Sequence, residues 1–174
     1  MSHERYTRTN QKLFYAGLAL DAWRAAAQSD AFTAPAKTQA AREETVFHLY
    51  GAVLGLCHEV AGYYRMPGDS DPSVQQFLTA GRLAETPSPE FAELLELSTN
   101  GETWLGQLLH AYTRLFQPPS PPKVAKQDPA LPLIQAVAIE EETENVGLTP
   151  ELVESWRQSI KGLALRFREG LSEI

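Results

Sequence analysis

Apolar residues recur three and four positions apart over long stretches of this chain, and no convincing run before residue 130 alternates as a half-buried strand would. Leu13, Ala16, Leu20, Trp23 and Ala27 line one face of a first helix predicted over residues 4–28, with a turn over 29–35. A second helix, predicted over 37–65, stops at Met66-Pro67-Gly68-Asp69, where proline lacks the amide that would continue the ladder. A short helix over 72–83 opens with Asp71 as cap and Pro72 in its first position. Ser88-Pro89-Glu90 repeats that arrangement and launches a seam of Phe91, Leu94, Ser98, Gly101, Leu105, Leu108, Tyr112 and Leu115. This seam predicts one bent helix, with Thr99 and Glu102 as an alternative capping box for a separate one.

Beyond the seam, prolines at 118, 119, 121, 122, 129 and 132 forbid a regular helix and predict an extended strap over 117–132. Residues 133–139 are short and apolar; period alone does not separate strand from helix there, and an extended segment lying on the helices is expected. Thr149-Pro150-Glu151 then gives the cleanest helix start in the chain, followed by a stripe of Leu152, Trp156, Ile160, Leu163 and Phe167.

Four long amphipathic helices bury their stripes only by surrounding one another. The expected fold is therefore all-α: an antiparallel four-helix-type bundle with an extra short helix and a proline-rich strap before the last helix, forming one domain over residues 1–174. Trp23, Trp104 and Trp156 fall on three different helices and are expected to share the core. At 174 residues and 43% hydrophobic, the chain has enough apolar surface for such a core without metals or disulfides.

Charge narrows the partners. The net charge is -7; residues 1–65 carry seven Lys or Arg against six Asp or Glu (+1), and residues 66–174 carry eight against sixteen (-8). Nucleic acids and anionic membranes, which are bound through clustered cations, are not expected as partners. Arg5, Arg8 and Lys12 fall at helical spacing on the first helix, a pattern typical of a solvated face. The polar amino end and the lack of a long apolar run predict neither a signal peptide nor a membrane anchor. The lone Cys57, among Val53, Leu54, Leu56 and Val60, reads as buried filler, and a reducing cytoplasm is the expected compartment.

The second helix is the most informative segment. Its apolar arc spans roughly 200° through Val46, Phe47, Leu49, Tyr50, Val53, Leu54, Leu56, Cys57, Val60, Ala61, Tyr63 and Tyr64, as a central helix requires. The remaining strip holds Glu44, His48, Gly51, Ala52, Gly55, His58, Glu59 and Gly62. Its three glycines cost about 2–3 kcal/mol relative to alanine, so close approach of something must offset them. Either another helix, from this chain or a second copy, packs on the strip, or a small ligand lies between His48 and His58 with Glu59 as charged partner. The two histidines stand about 15 Å apart along the axis.

No metal and no cofactor is expected: inward Glu-x-x-His motifs and His pairs at four-residue spacing are missing, and Glu44 with His48 is the only same-face pair among histidines 3, 48, 58 and 110. Phosphate-loop, dinucleotide and nucleophile-elbow patterns are likewise missing, so no catalytic residue is assigned and enzymatic activity stays open. Arg42 and His48 form an Arg-x5-His pair that resembles the signature of HEPN-family nucleases, helical bundles in which such a pair from each of two protomers cleaves RNA. Glu43 departs from that pattern, since an acid beside the arginine repels the scissile phosphate. Over more of the chain, Arg5-Tyr6-Thr7-Arg8-Thr9-Asn10-Gln11-Lys12-Leu13 and Leu148-Thr149-Pro150-Glu151-Leu152 resemble a small cytosolic family of pseudomonad-like bacteria that carries no assigned activity.

The expected function is that of a non-enzymatic bundle acting through protein–protein contacts, as a homo-oligomer or with another protein, and first of all as a homodimer. The expected surface is His48, Gly51, Gly55, His58, Glu59 and Gly62, or the outward face of the last helix around Leu165. The alternative is a small-molecule binder or enzyme whose pocket is floored by Gly51 and Gly55.

Overall fold

The computed structural model describes residues 2–67, 70–117 and 147–172, and every regular element among them is helical. The elements are α1 (Ser2–Ala27), α2 (Ala34–Tyr64), α3 (Val74–Phe77), α4 (Ala80–Glu85), α5 (Pro89–Thr99), α6 (Trp104–Arg114) and α7 (Pro150–Ser172). The expected strap over 117–132 falls, beyond Gln117, outside the described residues, as does the segment 133–139.

Local chemistry sets the boundaries. α2 begins three residues before its predicted start because Pro35, in the first turn, already has the helical φ and needs no amide partner there. It ends where Arg65 turns left-handed (φ 53) and the Met66 amide closes back on the Ala61 carbonyl at 2.9 Å. Thr149 caps α7 as its sequence implies, its hydroxyl accepting from the Leu152 amide at 3.1 Å.

Two predicted helices are each divided. The short helix over 72–83 is α3 and α4, capped by Ser73 and Thr79 rather than by Asp71. The single bent helix over the 91–115 seam is α5 and α6, with Thr103 as the cap between them, accepting from the Gly106 amide at 3.0 Å. Gly106 makes this corner possible: a Cβ there would lie 2.2 Å from the Asn100 carbonyl oxygen. Ser88 caps α5 as expected.

The core is assembled from faces of α1, α2, α5, α6 and α7. Trp156, Phe77, Phe91, Leu20, Leu49, Leu56 and Leu105 are its largest fully buried side chains, Trp23 is buried beside them, and Trp104 is half-buried. α1 and α2 lie antiparallel along most of their length, since Lys12 faces Gly51 while the earlier Thr9 faces the later Gly55. α7 closes against both, with Arg157 reaching the Leu13 carbonyl on α1 and Arg168 reaching Glu59 on α2. Tyr50 of α2 stacks on Tyr112 of α6, ring centres 3.6 Å apart, and its hydroxyl accepts from the Val74 amide. Arg166 of α7 makes a two-pronged pair with Glu93 of α5. One residue of the predicted core departs from it: Phe47 sits at the rim of the α2 arc and is 46% exposed.

Candidate functional site

The glycines of the α2 strip are occupied from within the chain. A Cβ on Gly55 would lie 2.6 Å from the Thr9 hydroxyl and 3.3 Å from Thr9 backbone atoms; one on Gly51 would lie 3.1 Å from the Lys12 chain. The close approach that offsets their helix cost is therefore the crossing of α1 over α2. Gly62, in the last turn of α2, is half-buried.

Glu59 is likewise committed. Its carboxylate, 2% exposed, receives Arg168 Nη2 at 2.8 Å and Nε at 2.9 Å. Arg168 also donates Nη1 to Asn10 at 3.0 Å and lies over the Tyr6 ring. A two-pronged guanidinium–carboxylate pair of this kind ties α1, α2 and α7 together. His58 belongs to a third environment: its Nε2 pairs with the Asp71 carbonyl at 2.8 Å and its ring stands edge-on to Phe77, which holds the start of the α3 region against α2. His48, His58 and Glu59 thus serve three separate contacts and do not converge. Cys57 is fully buried, and burial pushes its thiol up to about 12, far from thiolate chemistry at neutral pH.

His48 is the member of the set that meets solvent-facing neighbours. Lys12 Nζ lies 3.4 Å from its Nδ1 and Glu44 Oε1 lies 3.6 Å from its Nε2. An ammonium only donates, so Nδ1 accepts and the neutral ring carries its proton on Nε2, facing the carboxylate. Burial and then the Lys12 charge hold the imidazole below its ordinary 6.5, against the opposing pull of Glu44. With Nδ1 occupied by Lys12, the ring is poorly placed to act as a base. Arg42 is not its partner: its guanidinium donates to Gln39, one turn earlier on α2. The two-residue nuclease resemblance therefore has no assembled pair within this chain.

Around His48 lies a band of rings that sequence reasoning did not single out. Phe14 and Tyr15 stand 6.3 Å apart, Tyr15 and His48 5.4 Å, and His48 and Phe47 5.6 Å; Lys12 lies 5.0 Å over Phe47. Phe14 is 62% and Leu18 53% exposed, one helical turn apart on α1. The available signal was that both lie outside the Leu13–Ala16–Leu20–Trp23 stripe. On α7, Leu165 is 51% exposed, while neighbouring Arg168 turns inward to Glu59 and Glu154 pairs with Arg157.

Among the described residues no three His, Cys, Asp or Glu side chains gather to hold a metal, and no helix is long and apolar enough to cross a membrane. No curated protein and no solved structure matches this chain. The model of a family of unknown function, DUF6586, matches residues 1–174, and the chain belongs to that family.

Proposed function

We propose that this is a cytoplasmic, non-enzymatic helical-bundle protein that acts through protein–protein contacts as a homodimer, using the outer face of the α1–α2 pair. The observation that carries this reading is the exposure of Phe14, Leu18 and Phe47 on one ring-lined band. Leaving three such side chains in water forgoes about 1.5–3 kcal/mol each relative to full burial. Covering them recovers part of that, which is how apolar patches mark docking sites. The antiparallel four-helix-type arrangement within one domain supports the reading, because α1 and α2 form a stiff, nearly flat pair braced from behind by α7. Leu165 is the weaker candidate, being a single exposed leucine of an ordinary kind. A small-molecule site on the glycine strip is disfavoured by the Lys12 chain and Thr9, which fill the space above Gly51 and Gly55.

Light scattering coupled to size exclusion tests the reading. The expected mass is twice the 19.3 kDa of one chain. Phe14→Asp with Leu18→Asp should return the protein to monomer without loss of helicity, and Leu165→Asp should leave the dimer intact. A monomeric parent protein at tens of micromolar, or a dimer indifferent to the Phe14 and Leu18 changes, would overturn it.

A further inference from the structure

The α1–α2 face has a charge layout that bears on how two copies would meet. α1 and α2 run antiparallel in a register that sets Lys12 beside Gly51 and Tyr15 beside His48. Arg8 and Lys12 lie toward the amino end of α1, on one side of the ring band. Glu43 and Glu44 lie toward the amino end of α2, on the other side. At 1.5 Å per residue, Arg8 sits about 10 Å from Tyr15 in one direction, while Glu43 and Glu44 sit about 6–8 Å from His48 in the opposite direction. Arg8, Glu43 and Glu44 are all exposed.

We propose that the face is self-complementary and docks a second copy of this chain about a two-fold axis that stands on the face between Tyr15 and His48. This rests on the homodimer reading above and specifies its geometry. Rotation by 180° about that axis lays α1 of each copy across α2 of the other. Arg8 of the second copy then comes over Glu43 and Glu44 of the first, and by symmetry the same pairing forms again at the other end. Phe14 of the second copy comes over Phe47 of the first, ring on ring. Leu18 of the second copy comes over Gly51, where the surface is low because no Cβ stands there. A copy docked in the parallel sense would set Arg8 against Arg8 and Glu43 against Glu43. The like-charge clash selects the two-fold arrangement.

Charge reversal tests this geometry with exposed residues that leave the core untouched. Arg8→Glu alone should weaken self-association about tenfold, because the two-fold repeats the lost pairing. Glu43→Arg with Glu44→Gln should do the same. An equimolar mixture of the two variants should form a heterodimer close to the parent affinity, since each reversed end then meets its complement; native mass spectrometry separates it from the homodimers. The weakening should shrink in 0.5 M salt. Sedimentation equilibrium of the unaltered chain showing only monomer would overturn both the homodimer reading and this docking. A dimer that dissociates with Phe14→Asp and Leu18→Asp, yet ignores both reversals or gains nothing on mixing them, would overturn the docking alone.

Discussion

Arg168→Met strips two charge-assisted donors from a carboxylate that water barely reaches. Breaking one side of such a buried pair costs about 3–5 kcal/mol, whereas replacing both sides with apolar residues can be nearly neutral. Urea unfolding should therefore show Arg168→Met strongly destabilised and Glu59→Met with Arg168→Met recovering most of the loss; equal losses for single and double variants would mean the pair is not what holds this corner. Glu59 was legible as an unusual residue, because a carboxylate on a strip of small residues is out of place on a central helix. Its role was not legible, because its partner lies 109 positions later and nothing in local period links the two. Cys57 shows the opposite case. Its apolar neighbours on α2 already implied burial, and its fully enclosed thiol agrees.

At the scale of elements, periodicity and caps located the long helices well. α1, α2 and α7 follow their stripes, and Ser88 and Thr149 cap where their sequence implies. The seam from Phe91 to Leu115 misled because it is continuous in period while the backbone is not: Gly106 and Thr103 turn the chain without disturbing the three-and-four spacing. The same reasoning separates glycines that a sequence cannot distinguish. Gly55→Ala puts a methyl 2.6 Å from the Thr9 hydroxyl and 3.3 Å from its backbone, so α1 must move off α2; overpacking of this kind costs about 1–3 kcal/mol, well above the helix-propensity gain. Gly162→Ala, in the exposed interior of α7, meets nothing within 4 Å and should instead stabilise by about 0.5–1 kcal/mol. Thermal melts of the two variants should shift in opposite directions. A stabilised Gly55→Ala would show that the α1–α2 crossing is looser than this contact requires.

At the scale of the whole molecule, two electrostatic effects compete on acidification. The net charge of -7 shrinks toward zero as pH approaches the isoelectric point near 5.1, which relieves self-repulsion and favours the compact state. Local groups push the other way. Burial, Lys12 and Arg8 hold folded His48 below its ordinary 6.5, against Glu44, so between the two values the unfolded chain binds a proton the folded chain does not. Stability must rise with pH through that window and fall as pH descends it. Lower still, hydrogen bonding to Arg157 holds Glu154 below its ordinary 4.5, a contribution present above that value and lost as pH falls through the depressed one. Diffuse repulsion among exposed charges is screened within about 8 Å at physiological salt, whereas half-buried groups are screened much less. The local groups should therefore win: the urea midpoint should decline from pH 7 to pH 5, with no maximum near 5.1. His48→Gln should flatten the upper part of that decline and Glu154→Gln only the acid end. A midpoint that climbs toward pH 5.1 in the unaltered protein would show that diffuse charge outweighs the Lys12–His48 contact, leaving that contact too weak to anchor the ring band.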